Sequence, residues 1–269
     1  MISLRSERRA AGAVIARNFS LIRRYLGWEL VFAFYNAVNA LTIGLIGLAE
    51  PGPGQGLRVL YLSIGALLWN FLSVLFFEVS NSVMWERWEG TIEYSFMAPV
   101  RRVTYLFGVC AYAVVYGLAR TIVVLVAIAL FFRVPLAQAD LPGALVVLAA
   151  SSVPFIGLGL FGAIMPMLSA ERGAQATQVI QGVILLVSGI YYPISVLPHW
   201  LQPVSWLSPA TYTLSAVRGA VLQGQSVASL LPTALGLLAA GAVLVPAGLY
   251  AFAVAERYAL RTGKLKRNG

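Results

Sequence analysis

Six long apolar stretches constrain the fold of this chain more than any other feature of its sequence. Each is roughly 20 residues long or longer, the length that an α-helix needs to cross the hydrocarbon core of a bilayer. They lie at residues 25–49, 59–84, 103–132, 143–168, 174–192 and 227–255. The sequence therefore predicts an all-α membrane protein with six transmembrane helices.

The composition excludes a water-soluble domain. Of the 269 residues, 59% are hydrophobic and only 11% are charged, whereas globular proteins carry about 25% charged residues. A soluble fold of this size could not hide so much apolar surface and still cover itself with polar groups.

The basic residues predict the orientation of the chain. With both termini in the cytoplasm, 15 Lys and Arg residues fall in inner segments and only three in outer ones, and a basic tail occupies residues 256–269. Cytoplasmic loops carry such an excess of Lys and Arg. We therefore expect a multi-pass protein of the cell membrane, and the net charge of +9 is best explained by contact with anionic lipid headgroups rather than nucleic acid.

Two further segments have membrane-related patterns. Residues 1–24 combine apolar positions at helical spacing with several arginines, which predicts an amphipathic helix lying on the membrane. Residues 193–226 are too long for a turn and too apolar for a solvated loop. We expect re-entrant outer helices there, with Ser208 and Pro209 starting one of them. Asp140 can cap the helix that begins the fourth span.

The residues needed for common catalytic sites are missing. The one Gly-Lys pair, Gly263-Lys264, is followed by Leu265, so the chain lacks a phosphate-binding P-loop. One histidine, one aspartate and one cysteine cannot build a zinc protease, an aspartate dyad or a cysteine metal cluster. We predict no catalytic, cofactor or metal site on this chain, and no enzymatic activity.

The inner segment after the second span, residues 85–102, is the most specific feature. It combines Glu86, Arg87, Glu89 and Glu93 with aromatic residues, as expected for a short amphipathic helix with a polar face. One interpretation is a surface that binds a partner protein. The alternative is an ordinary connecting helix anchored by tryptophans at the headgroups.

Two motifs carry a family resemblance. The run Glu86-Arg87-Trp88-Glu89-Gly90-Thr91-Ile92-Glu93, followed by Pro99, resembles the segment between the second and third spans of ABC-2 type permeases. Residues 193–219, with Trp206-Leu207-Ser208-Pro209-Ala210-Thr211-Tyr212, look like their last outer segment. The resemblance covers nearly the whole chain. It is strongest to the drug and antibiotic export branch, with the polysaccharide and lipid export branch close behind.

The resemblance implies one transmembrane domain over residues 1–269 that moves a substrate outward by alternating access. It also implies a second permease copy, identical or similar, and two separate ATP-binding subunits that hold ATP and Mg. Residues 1–24 would be an elbow helix. ATPase coupling would involve Glu86, Arg87, Glu89, Gly90, Thr91 and Glu93. The outer gate would include Tyr192, Pro193, Pro198, Trp206 and Pro209.

Ionisable side chains inside the spans are further candidates. Arg120 lies about 24 Å into the third span, at about 1.5 Å per residue, where a charge costs about 2.5 to 3.5 kcal/mol. It could attract an anionic substrate group or pair with an acid or carbonyls of a neighbouring span. Glu29 and Glu78 share a leaflet and could meet each other or Arg23 and Arg24.

Gln178 and Gln181 lie on one face of the fifth span. They could form interhelical hydrogen bonds or part of a polar route. A secondary transporter or channel is the alternative function for the whole chain. That class predicts inverted repeats or charged relays at the midplane, and the sequence shows neither.

Overall fold

The computed structural model describes residues 4–49, 52, 54–88, 100–133, 139–169 and 173–262. These residues form helices and connecting turns without a strand, which confirms the all-α class. The helices are α1 (Leu4–Arg24), α2 (Leu26–Ile46), α3 (Gln55–Trp88), α4 (Arg102–Phe132), α5 (Leu141–Gly162), α6 (Ile164–Leu168), α7 (Gly173–Val187), α8 (Gln202–Leu207), α9 (Pro209–Gln223) and α10 (Val227–Arg261). A 3-10 turn, Ile194–Val196, precedes α8.

Among the described residues, five helical stretches are long and apolar enough to cross a membrane. They are Leu26–Ile46, Gln55–Ser82, Arg102–Phe132, Leu141–Leu168 and Val227–Arg261. The predicted fifth span, 174–192, corresponds to α7, which has 15 residues and is only about 22 Å long. The chain turns shortly after this helix ends, at Gly189, which adopts a left-handed conformation (φ 63°). A sixth membrane crossing therefore stays a prediction.

Several helix boundaries differ from the predicted ones. Helix α3 continues unbroken past residue 84, the predicted end of the second span, to Trp88 and takes in the start of the predicted coupling segment. The last helix extends past residue 255 to Arg261. Residues 89–99 and 263–269 lie outside the described part of the chain.

Two predicted helix starts are confirmed. The Asp140 side chain accepts a hydrogen bond from the Gly143 amide (3.1 Å) at the beginning of α5. Ser208 occupies the N-cap position of α9, and Pro209 is its first residue. Residues 193–226 thus contain short helices, as expected.

The core surrounds α3, which packs against α2, α4, α5, α6, α7 and α9. Phe71, Phe76 and Leu75 on this helix are almost completely buried. Helices α5 and α10 form the most extensive pair, and a Cβ atom at Gly157 would lie 2.7 Å from Leu244 of α10. Small residues allow such close approach of apolar helices.

Only 11% of the apolar stretch of helix α2 is buried within the structure, compared with 67% of the apolar stretch of α3. Its exposed residues include Trp28, Phe34 and Tyr35. An exposed surface this apolar requires lipid or another apolar partner, as expected of a multi-pass membrane protein.

Candidate functional site

Three helices, α1, α3 and α4, meet at Glu86. Arg17 Nη1 of α1 donates to Glu86 Oε1 of α3 at 2.6 Å, and the Tyr105 hydroxyl of α4 donates to the same oxygen at 3.1 Å. Glu86 is only 3% exposed, whereas the Arg17 side chain is 45% exposed. The carboxylate is therefore enclosed by its partners, while the guanidinium also reaches solvent.

The position of Arg17 follows from how α1 packs. Its apolar face lies on α4, where the rings of Phe19 and Tyr112 meet edge to face with centroids 5.3 Å apart. Gly108 allows this approach, since a Cβ atom there would lie 2.9 Å from Val14 Cβ. The apolar residues of α1 thus pack against α4, and this packing places Arg17 next to the end of α3.

Electrostatics favour the ion pair. Partial burial lowers the pKa of Arg17, but the hydrogen bond and charge of Glu86 outweigh this effect and raise the pKa above its ordinary value. The guanidinium therefore stays charged, and its hydrogen bond to the carboxylate is a charge-assisted one.

The far end of the predicted coupling segment is also held by charged residues. Arg102 Nε donates to Glu256 Oε1 of α10 at 2.9 Å. Arg101 Nε lies 3.9 Å from Glu7 Oε1 of α1, and Glu7 also pairs with Thr104. Helix α1 thus contacts both ends of the segment, and α10 contacts its far end.

The structure describes only part of the predicted coupling set. Glu86 is buried in the ion pair rather than displayed on a surface, and the Arg87 side chain lies outside the described part. Glu89, Gly90, Thr91 and Glu93 also lie outside the described residues. Their contact with an ATPase stays a prediction.

A second cluster joins α2 and α4 inside the spans. The Tyr116 hydroxyl donates to Glu29 Oε2 at 2.5 Å and accepts from Arg120 Nη1 at 2.9 Å. Glu78 of α3 lies within electrostatic range of Glu29 and Arg120. Glu29 and Arg120 are thus brought together through a tyrosine, a link that sequence spacing did not reveal.

Tyr116→Phe is expected to lower the free energy of unfolding by about 1 to 2 kcal/mol, because it removes the hydroxyl that connects Glu29 with Arg120. Thermal unfolding in detergent measures the change. Tyr112→Phe is the matched control, since Tyr112 is equally buried on the same helix and its hydroxyl donates no hydrogen bond to the described residues. Equal effects of both variants would contradict this role for Tyr116.

The two candidate glutamines of α7 have different environments. Gln181 Nε2 donates to the Ser73 carbonyl oxygen of α3 at 3.2 Å. Gln178 is exposed on the outside of the described bundle. Gln181 therefore forms an interhelical hydrogen bond, the simpler of its two predicted roles.

The predicted outer-gate residues do not form one cluster. Tyr192 and Pro193 line an open cleft, and the Tyr192 hydroxyl donates to the Leu186 carbonyl at 2.5 Å. Pro198 and Trp206 are exposed away from this cleft, and Pro209 is buried at the start of α9. Of these five residues, Tyr192 and Pro193 line this cleft and the other three do not.

Sequence reasoning missed the role of Arg218 of α9, which it treated as one of three outer basic residues. Arg218 Nη2 donates to the carbonyl oxygens of Ile190 (2.7 Å) and Tyr61 (3.1 Å), and its guanidinium lies 3.3 Å from the centroid of the Tyr61 ring. It thereby connects α9 with α3 and with the turn after α7. The single charged residue of an otherwise uncharged helix was the signal available in the sequence.

Most of the chain matches a known protein family. Residues 9–222 match the family model described as ABC-2 type transporter. The matched range contains most of α1, the whole predicted coupling segment and all of α9 except its last residue. A comparison with curated proteins gives no match.

Proposed function

Because the chain belongs to the ABC-2 type transporter family, we propose that it is the membrane-spanning permease subunit of an ATP-binding cassette exporter. The family match over most of the chain is the observation that carries this proposal. The apolar helices support it, since they are long enough to cross a bilayer.

A separate subunit supplies the energy in this proposal. The sequence has no P-loop, and two ATP-binding subunits would hold ATP and Mg beneath two permease copies, identical or similar. Residues 89–93 would contact the ATPase. Glu86 is enclosed by Arg17 and Tyr105, so its role would be to position that segment rather than to touch the partner.

The contacts of α1 explain how movement would pass into the membrane. Through Glu86 it holds the end of α3, and through Glu7 it lies against the start of α4. A displacement of the intervening segment by the ATPase would therefore shift α1, α3 and α4 together. Such rigid-body movement is one way to achieve alternating access.

A drug-like, lipid or lipid-linked molecule is the substrate in this proposal, with the drug and antibiotic export branch first.

The Glu29, Tyr116 and Arg120 cluster supports structural roles for these residues, since each has a partner within the bundle. The substrate would move outward across the cell membrane, with both termini of the permease in the cytoplasm.

Affinity purification of the tagged chain in mild detergent tests the partnership. We expect an ATP-binding subunit to copurify, identified by mass spectrometry, and the eluate to hydrolyse ATP. Replacing both Glu89 and Glu93 with Gln should weaken retention of that subunit by at least about tenfold, since loss of one partner of a charge pair that the complex buries raises the dissociation rate.

Glu50→Gln is the control, because it makes the same kind of substitution, with the loss of one negative charge, in a segment predicted on the opposite side of the membrane. It should leave retention unchanged. Purification of the chain without any ATPase, under conditions that preserve other complexes, would instead favour an ATP-independent secondary transporter or channel.

A further inference from the structure

An open cleft of about 500 Å³ lies among the start of α3, the turn after α7, helix α9 and the start of α10. Its lining includes Tyr61, Ser188, Tyr192, Ser215, Arg218 and Ser229. This volume falls in the range of small-molecule sites, about 300 to 1,000 Å³. All 18 residues that the structure places around the cleft belong to one chain.

We propose that this cleft binds a phosphate-bearing headgroup, either of a membrane lipid or of a soluble phosphate ester. The proposal goes beyond the export function and does not depend on it. Its basis is the placement of one fixed positive charge among many neutral hydrogen-bonding groups.

The charge comes from Arg218, the one ionisable side chain other than tyrosine among the described residues that line the cleft. Two backbone carbonyls hold Nη2, and the Tyr61 ring covers the guanidinium. Within the described part of the chain, the Nη1 atom of Arg218 donates no hydrogen bond, whereas Nη2 donates two. Arg218 is thus rigidly placed with a donor to spare, and none of the described residues that line the cleft carries a carboxylate that would repel an anion.

The neutral lining complements this charge. Ten of the 18 lining residues carry a hydroxyl or side-chain amide group. Phosphate oxygens accept several hydrogen bonds at once, and arginine is well suited to phosphate because its planar donors match the geometry of these oxygens. Glycerol or sugar hydroxyls next to the phosphate could bond with the remaining side chains.

Native mass spectrometry of the full chain in detergent tests the proposal. We expect phosphatidylglycerol to bind, and a glucosyl diacylglycerol with the same acyl chains but no phosphate to bind at least about tenfold more weakly, the difference that a charge-assisted hydrogen bond provides. If both lipids bind and bind equally well, the proposal is overturned.

Ser215→Phe should fill the cleft without altering the contacts of Arg218, and should weaken phosphatidylglycerol binding by at least about tenfold. Ser215→Ala is the matched control and should bind as the original chain does. Ser229→Phe enters the same cleft from α10 and gives an independent test if the first variant does not fold. Unchanged binding in a folded Phe variant would also overturn the proposal.

Glycerol 3-phosphate distinguishes the two sources of the headgroup. If it binds as tightly as the lipid and is equally sensitive to Ser215→Phe, the ligand is a soluble phosphate ester. If the lipid binds and glycerol 3-phosphate does not compete, the ligand is a lipid headgroup. Both results support a phosphate site in the cleft, whereas binding of neither compound would overturn it.

Discussion

Arg17→Ala is expected to lower the free energy of unfolding by about 2 to 3 kcal/mol, because it removes the guanidinium that neutralises a buried carboxylate. Glu86 is 3% exposed and Arg17 is 45% exposed. Loss of one partner of a fully buried pair costs about 3 to 5 kcal/mol, and solvent around Arg17 reduces that value. Thermal unfolding in detergent measures the change.

Glu86→Gln provides the informative comparison. It removes the buried charge instead of its partner, so we expect a smaller loss of about 1 kcal/mol. The double variant, Arg17→Ala with Glu86→Gln, should be more stable than the sum of the single effects predicts. Each single variant already removes the ion pair, so its loss is counted twice in the sum but occurs once in the double variant. Strict additivity would show that the two residues are not coupled.

Arg9→Ala is the control for general effects on α1. Arg9 is exposed on the same helix, and such surface substitutions change stability by about 0.5 kcal/mol or less. In the reconstituted complex, Arg17→Ala should also reduce substrate-stimulated ATP hydrolysis, while Arg9→Ala should not. This second measurement separates a role in coupling from a role in stability alone.

Gly65→Ala is expected to lower the free energy of unfolding by about 3 kcal/mol, the upper end for overpacking a tight contact. A Cβ atom at this position of α3 would overlap the Ile190 carbonyl oxygen and lie 3.3 Å from Arg218 Nη2. That carbonyl is backbone and accepts the Arg218 hydrogen bond at 2.7 Å. The methyl group must therefore displace the turn or the helix, and thermal unfolding measures the cost.

Gly236→Ala and Gly182→Ala are matched controls on α10 and α7, because no atom lies within 4 Å of a Cβ atom built at either position. Alanine is favoured over glycine in a helix by about 0.5 to 1 kcal/mol. These variants should be as stable as the original chain or slightly more stable. If Gly65→Ala behaves like them, the turn does not lie against α3.

The sequence predicted the helices well where the signal is local. The amphipathic α1, the five apolar stretches and the starts of α5 and α9 depend on residues a few positions apart, so spacing and capping preferences suffice. Helix α7 shows the limit of this reasoning. Apolar composition over 174–192 predicted one span, but the chain turns at Gly189 and the helix ends at Val187.

The length, apolar composition and spacing of the apolar stretches by themselves determined an all-α membrane protein, because these depend only on which residues are present and in what order. The tertiary structure alone decided that Glu86 lies in an ion pair with Arg17 and that Arg218 binds the Tyr61 carbonyl. These partners are 69 and 157 residues apart, and contacts over such distances depend on how the helices pack rather than on local spacing.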